Sequence, residues 1–296
     1  MPWVSSRGRE KRFMSEFLPK VLQLKRRDDG AYQAPHPEFD PEGRGVVFSG
    51  QLLAQMIMAA DAELGTTLEV KSIQAIFSRT GTYEAPLTLR TETTHAGRSF
   101  GSVTVTAHQG DRLLSRGLLL LSSDEPDLIR HGPALDPAPA PPEGLEVDAR
   151  SQCFPGAESR TIPEPDAFAT DGTPLLAFWL RHPEGLPSTA AQQAVLAWSQ
   201  PGEIIGLALR PHSEKVRIED AHRTLSTGVI AHTIHFQDRF DLADSVFVQQ
   251  AATVAGRGRV YGEGRVFDRA GRLVSTFSQD SMVRAAPQPI DPKKGL

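Results

Sequence analysis

The pattern of apolar and polar positions along this chain changes period in a regular way, and the change happens twice. From Gly50 to Leu64 the chain consists of strong helix formers, apolar round nearly the whole circumference, and Gly65 follows as a stop. A helix with so little polar face must be wrapped on most sides. The runs that follow, Val70–Phe77, Pro86–Thr94, Ser99–Gln109 and Arg112–Ser122, are alternating or β-rich and are separated by Gly, Pro and Asp, so they predict antiparallel strands that curl around it. The second half repeats the order. Pro174–Arg181 reads as its first strand, Ser188 caps a helix over Thr189–Gln200, and Pro201-Gly202 ends it. Strands are then expected near Val229–Gln237, Ser245–Val254, Arg259–Phe267 and Arg272–Val283.

Two glycine intervals agree with a duplication. Gly97-Arg98 precedes the turn glycine Gly110 by 110 − 97 = 13 residues, and Gly258-Arg259 precedes Gly271 by 271 − 258 = 13. Between the halves, Pro137-Ala-Pro139-Ala-Pro141-Pro142 cannot lie inside a helix or a central strand and reads as extended linker. The fold class is therefore α+β in two similar units: 1–130, a proline-rich linker 131–173, and 174–296, each unit a long helix held in a curved antiparallel sheet with the two sheets side by side.

Composition narrows the function by exclusion. The 296 residues suffice for two cores, and 39% apolar with 23% charged residues is ordinary for a globular chain. A net charge of -4 without a basic stripe argues against nucleic acid as a partner. The single cysteine, Cys153, rules out an internal disulfide and a cysteine-rich zinc site, which suits the cytoplasm. Arg7, Arg9, Lys11 and Arg12 are not followed by an apolar signal region, and no run approaches the roughly 18 apolar residues of a membrane span.

Several short motifs, in order along the chain, are similar to those of the acyl-CoA thioesterase II family, from about Phe39 to Arg284. Phe48-Ser49-Gly50-Gln51 resembles that family's Phe-Gly-Gly-Gln, and Phe77-Ser78-Arg79-Thr80-Gly81 its Phe-Leu-Arg-Pro-Gly without the proline. Gly97-Arg98-Ser99-Phe100 resembles its Asp-Gly-Arg-Ser-Phe. Gly271-Arg272-Leu273-Val274 and Gln279-Asp280-Ser281-Met282-Val283-Arg284 resemble its C-terminal Asp-Gly-x-Leu-Val and Gln-Glu-Gly-x-x-Arg. The resemblance implies two fused hot-dog domains and hydrolysis of a fatty-acyl-CoA by a water that an Asp, a Thr and a Gln hold and polarise, with no cofactor. Here Gln200 stands in place of the Asp and Val229 in place of the Thr, while Gln279 is retained.

Thioester hydrolysis needs an activated water, a proton acceptor and donors for the developing oxyanion. Gln200 can orient a water but has no useful basicity, and Val229 offers no hydrogen bond. His232, on the strand beside Val229, and Glu203, just past the helix, are candidate substitute bases. His232 and His235 are not expected to share a metal, because residues three apart on a strand face opposite sides, and no metal site is expected. The helix start at Gly50 and Gln51 could bind a carbonyl or phosphate oxygen, or Gly50 could simply permit close packing. Ser49 reads as the cap of that helix. Arg79, Arg98 and Arg210 are candidate phosphate contacts or solvated surface charges.

Three readings of function remain open on the sequence: an acyl-CoA thioesterase with a degenerate water-activating site, a non-hydrolytic acyl-thioester binder, and a different reaction on a thioester intermediate such as dehydration or cyclisation. Exposed sheet faces and edges imply a homo-oligomer.

Overall fold

The computed structural model describes residues 18–286 apart from 39, 41–42, 66, 136–138, 140–141, 149–153, 163–168, 170, 202 and 217–220. The N-terminal basic residues, Phe39, Cys153, and Pro137 and Pro141 of the linker lie outside the described residues.

Twelve strands form one antiparallel sheet in the order β1-β2-β4-β5-β6-β3-β9-β12-β11-β10-β8-β7. The first half contributes β1 (Lys25–Arg26), β2 (Tyr32–Ala34), β3 (Glu69–Phe77), β4 (Leu87–Ala96), β5 (Phe100–Gln109) and β6 (Arg112–Ser122). The second contributes β7 (Glu158–Thr161), β8 (Leu175–Arg181), β9 (Leu225–Phe236), β10 (Val246–Gly256), β11 (Arg259–Asp268) and β12 (Leu273–Ala285). Helix α1 (Ser49–Leu64) lies in the curve of the first half, and α2 (Thr189–Trp198) followed by α3 (Glu203–Leu209) in that of the second. The two sheets expected side by side are one, fused where β3 pairs with β9 and Ile73 faces Ile234. The separation 234 − 73 = 161 equals 258 − 97 and 271 − 110, so Ile73 and Ile234 mark a local two-fold between matching halves.

The all-round apolar surface of α1 is accounted for by packing. Leu52, Leu53, Ala54, Met56, Ile57, Ala59 and Ala60 are all buried in a core shared with Ile73, Val103, Val105, Leu119 and Leu121. Burial at about 25 cal/mol per Å² of apolar area is what holds so short-ranged an element in place. The expected cap at Ser49 is corrected: Phe48 is the N-cap residue, no side chain caps the helix, and Ser49 is its first residue. The backbone N–H of the N-cap residue Phe48 itself donates to the Tyr83 hydroxyl at 3.2 Å, a tertiary contact that fixes the start of the helix. At the second helix Ser188 does cap, its hydroxyl accepting from the Ala191 N–H at 3.2 Å.

The linker is more structured than its prolines suggest. It contains a 3-10 turn at Pro142–Gly144 and the strand β7 on the sheet edge. Leu135, Leu145 and Ile162 pack on Trp179, Phe247 and Phe267, which face outward from the second half of the sheet. In the first half nothing among the described residues covers the outer face in this way, and Ile76, Leu118 and Leu120 are exposed to 53%, 54% and 41%.

Candidate active site

Side chains from three elements meet beneath the second half of the sheet. His232 on β9 lies directly opposite Gln279 on β12 and opposite Ala75 on β3, next to the seam between the halves. The break between α2 and α3 brings in Gln200. The Nδ1 of His232 is 3.1 Å from Gln279 Oε1 and its Nε2 is 3.2 Å from Gln200 Oε1. All three residues are 1% exposed.

The local sequence explains the convergence. Ser199 is the C-cap of α2, with its hydroxyl donating to the Val195 carbonyl at 3.0 Å, and Pro201 prevents the helix from continuing unbroken into α3. Gln200 therefore sits in a turn and points inward rather than along a helix surface. A bulge in β9 between Ala231 and Val229 shifts the alternation, so that Val229 stands opposite the inward-facing Ser281. Val229 thus shares the face of His232 and Gln279, half-buried, without contributing a polar atom.

The imidazole is packed as well as bonded. The ring of Phe277 stacks against it, with centroids 5.6 Å apart and planes 16° apart. Phe277 in turn occupies the space over Gly264 on β11, where an added Cβ would overlap its ring. Two residues earlier, Gly262 gives the same clearance to Ile204 of α3, which holds that helix down beside Gln279's strand. Burial drives the His232 pKa down to about 4, opposed by the bond to Gln279, so the ring is neutral at physiological pH.

Other expected site residues lie elsewhere or serve the framework. Gly50 is buried against the end of α2: an added Cβ would overlap the Trp198 carbonyl and the Phe48 ring. Its smallness lets the two helices approach beside Gln200. Gln51 is also buried, its amide donating to the Pro35 carbonyl at 3.3 Å and lying 3.3 Å from His36 Nδ1. Arg79 is exposed and donates to the Leu113 carbonyl at 3.1 Å, Arg98 is exposed, and Arg210 donates to the Leu175 carbonyl at 3.3 Å. None of the three is bonded to the His232 cluster. Glu203 opens α3, and burial together with the charge of Asp148 raises its carboxyl above the ordinary range while Arg210 opposes. His235, as alternation requires, is exposed on the opposite face from His232.

Sequence reasoning missed Ser281, Phe277 and Gly264. The signal for the last was available in Gly262-Glu263-Gly264, two glycines on one face of a strand, which marks close approach by other groups. A cavity of about 890 Å³ lies under the linker, walled by Leu135, Pro139 and Ile162 and floored by the outward residues of the second half, Ala177, Gln249 and Arg265 among them. His232, Gln200 and Gln279 do not line it.

Comparison with known proteins matches both halves. Residues 36–122 match the family described as Acyl-CoA thioesterase N-terminal domain, and residues 163–282 that described as Acyl-CoA thioesterase. The chain is 25% identical to Acyl-CoA thioesterase 2 of Haemophilus influenzae, over 90% of this chain and 96% of that one. It is 23% identical to Acyl-coenzyme A thioesterase 8 of Rattus norvegicus, over 94% and 92%. Among solved structures, acyl-CoA thioesterase II TesB2 from Mycobacterium marinum superposes with a TM-score of 0.77 at 23% identity, covering 90% of this chain and 98% of that one. A hot-dog fold protein from Alicyclobacillus acidocaldarius gives 0.71 at 17%, covering 90% and 97%.

Proposed function

Because the chain belongs to the acyl-CoA thioesterase II family and has its double hot-dog fold, we propose that it hydrolyses fatty-acyl-CoA to the free acid and coenzyme A at the Gln200–His232–Gln279 cluster. Water adds to the thioester carbonyl, the tetrahedral intermediate expels the coenzyme A thiolate, and the proton lost by the water ends on that thiolate. The observation that carries the reading is the meeting of three buried polar side chains from α2's end, β9 and β12, in a chain that matches the family along both halves.

The cluster contains no carboxylate. Gln200 holds a water without taking its proton, and a ring with a pKa near 4 is a weak base at neutral pH. Loss of a general base costs about a hundredfold to ten-thousandfold, so turnover is slow. The missing carboxylate also supports a second reading, in which the chain holds acyl-thioesters without hydrolysing them, by apolar burial worth about 0.8 kcal/mol per CH₂.

The discriminating experiment incubates the protein with acyl-CoAs of graded chain length and follows free thiol, with Gln200→Asp assayed beside it. Slow, saturable thiol release by the natural chain supports hydrolysis. Saturable binding with no release from either protein supports the binder. We further propose a cytoplasmic homo-oligomer in which a second copy covers the exposed Ile76, Leu118 and Leu120, and a 32 kDa particle by light scattering at micromolar concentration would contradict the oligomer.

A further inference from the structure

We propose that the cavity under the linker is a second ligand site, on the opposite face of the sheet from the His232 cluster, and that it takes a fatty-acid carboxylate. The head binds Arg265 and the chain lies across β10 and β8 towards Ile162. Binding there needs no turnover, so the site stands or falls apart from the hydrolytic reading above.

The register of the second half sets out the floor. Ala177, Gln249, Arg265 and Thr276 stand opposite one another on β8, β10, β11 and β12, in one row across neighbouring strands. Their neighbours along the chain, Gly264 and Phe277, belong to the His232 face, so this row faces outward. Beside it runs the apolar row Trp179, Phe247 and Phe267, on which Leu135 and Ile162 of the linker pack. The linker thus raises an apolar wall along one side of a floor that carries hydrogen-bond donors, and the space between is about 890 Å³.

Among the described residues that line the cavity, Arg265 carries the only fixed positive charge and Glu263 the only negative one. Glu263 lies two residues along the same strand and faces the same way, yet the two form no ion pair, and Arg265 has no side-chain partner among the described residues. Their cross-strand neighbours decide between an anionic and a cationic head. Arg265 is flanked by the Gln249 amide and by the Thr276 hydroxyl, which accepts from Gln237 Nε2 at 2.9 Å and so keeps its own proton to donate. A carboxylate there meets three donors, one of them a guanidinium whose fork matches its two oxygens. Glu263 is flanked by Ala251 and Ser278, so an ammonium there meets one hydroxyl besides the carboxylate. With a single cation and an acid close by, a singly charged head is favoured over a phosphate. Ile162, whose N–H donates to the Ala177 carbonyl at 3.0 Å, follows β7, three strand spacings from β11. That is about 14 Å, the reach of an extended chain of about twelve carbons. The chain so placed lies against Ala177, Phe247 and Ile162.

The test titrates the full-length chain with laurate, below the concentration at which laurate forms micelles, by isothermal titration calorimetry at pH 7. Saturable binding is expected, weakening by up to about fourfold for each CH₂ removed from the chain. Arg265→Ala, a change at an exposed side chain, is expected to weaken it by about tenfold or more. Ala177→Trp, which fills the floor beneath the chain, should weaken it at least as much. Decan-1-ol, with a tail and no charge, is expected to bind about tenfold more weakly than decanoate. Absence of saturable laurate binding would overturn the proposal. So would an affinity unchanged in either variant, which would locate laurate elsewhere, the His232 cleft included, and so would decan-1-ol or decylamine binding as tightly as decanoate. None of these measurements involves thiol release, so a chain that bound laurate in this way and hydrolysed no acyl-CoA would keep the site and lose only the hydrolytic reading.

Discussion

The two halves fold alike and differ at the proposed site. In the first, α1 runs unbroken for 16 residues, and its far half presents Ala59 and Ala60 to the core. In the second, α2 stops after 10 residues and the chain turns through Ser199, Gln200 and Pro201 before α3 begins. Two residues before Ile73 stands Lys71, half-buried in a bulge of β3, with Leu121 on the facing strand. Two residues before Ile234 stands His232, fully buried and bonded to Gln279 on the facing strand. One half keeps the helix and an apolar lining. The other gives up helix continuity, and the turn so created lets one amide reach a histidine under the sheet.

The largest expected effect comes from restoring a carboxylate to the broken helix. Gln200→Asp together with Val229→Thr should raise kcat for acyl-CoA hydrolysis by about a hundredfold or more, well beyond the product of the single changes. The carboxylate supplies a base, and a hydroxyl at position 229, opposite Ser281, fixes the water it acts on. Equal effects of the double and the better single variant would show that Val229 does not face that water.

Acid should expose the second difference between the halves. His232 is held near pKa 4 in the fold against about 6.5 unfolded, so the unfolded chain binds the proton first as pH falls. Its contribution is fully present above pH 6.5 and is lost as pH falls towards 4, about 3 kcal/mol in all at roughly 1.4 kcal/mol per unit. Urea denaturation at pH 7.5, 5.5 and 4.5 should show this loss in the natural chain and a smaller one in His232→Gln. Parallel curves would contradict the buried neutral ring.

Gly50→Ala tests the join between the continuous helix and the broken one. The new methyl meets the Trp198 backbone carbonyl, which cannot swing away as a side chain could. A loss of about 1 to 3 kcal/mol is expected, with reduced activity because the turn carrying Gln200 moves. The smallest effect is reserved for the ion pair at one end of the seam, where Arg239 Nη2 lies 2.7 Å from Glu69. Adding 161 to 69 and subtracting it from 239 gives Ile230 and Ser78, so the other end lacks the pair. Because Arg239 is more than half exposed and Glu69 about one third, Arg239→Ala should cost only about 0.5 to 1 kcal/mol by urea denaturation, and less in high salt.

Much of the fold was legible because its period is strong. The all-apolar helix Gly50–Leu64 and the long strands after it were found within one to four residues of their ends, since burial on a curved sheet leaves a clear alternation. Strands β1, β2 and β7 were not legible: with two to four residues each they have too short a period to read, and they owe their form to the strands beside them. At the site, Gln200, His232 and Gln279 were named from the resemblance and their chemistry. That the imidazole bridges the two amides was not readable, because it depends on which residues of β9 and β12 lie opposite each other, a register the turns and the bulge at Ile230 set together. Ser281 escaped for the same reason.

The most direct test of the central claim is the rate of thiol release from acyl-CoAs by the natural chain under saturating substrate at pH 7. A site that orients water with an amide and lacks a carboxylate predicts saturable turnover slower than about one per second, which rises in Gln200→Asp. Release at the uncatalysed background rate for every chain length, in both proteins, would contradict it.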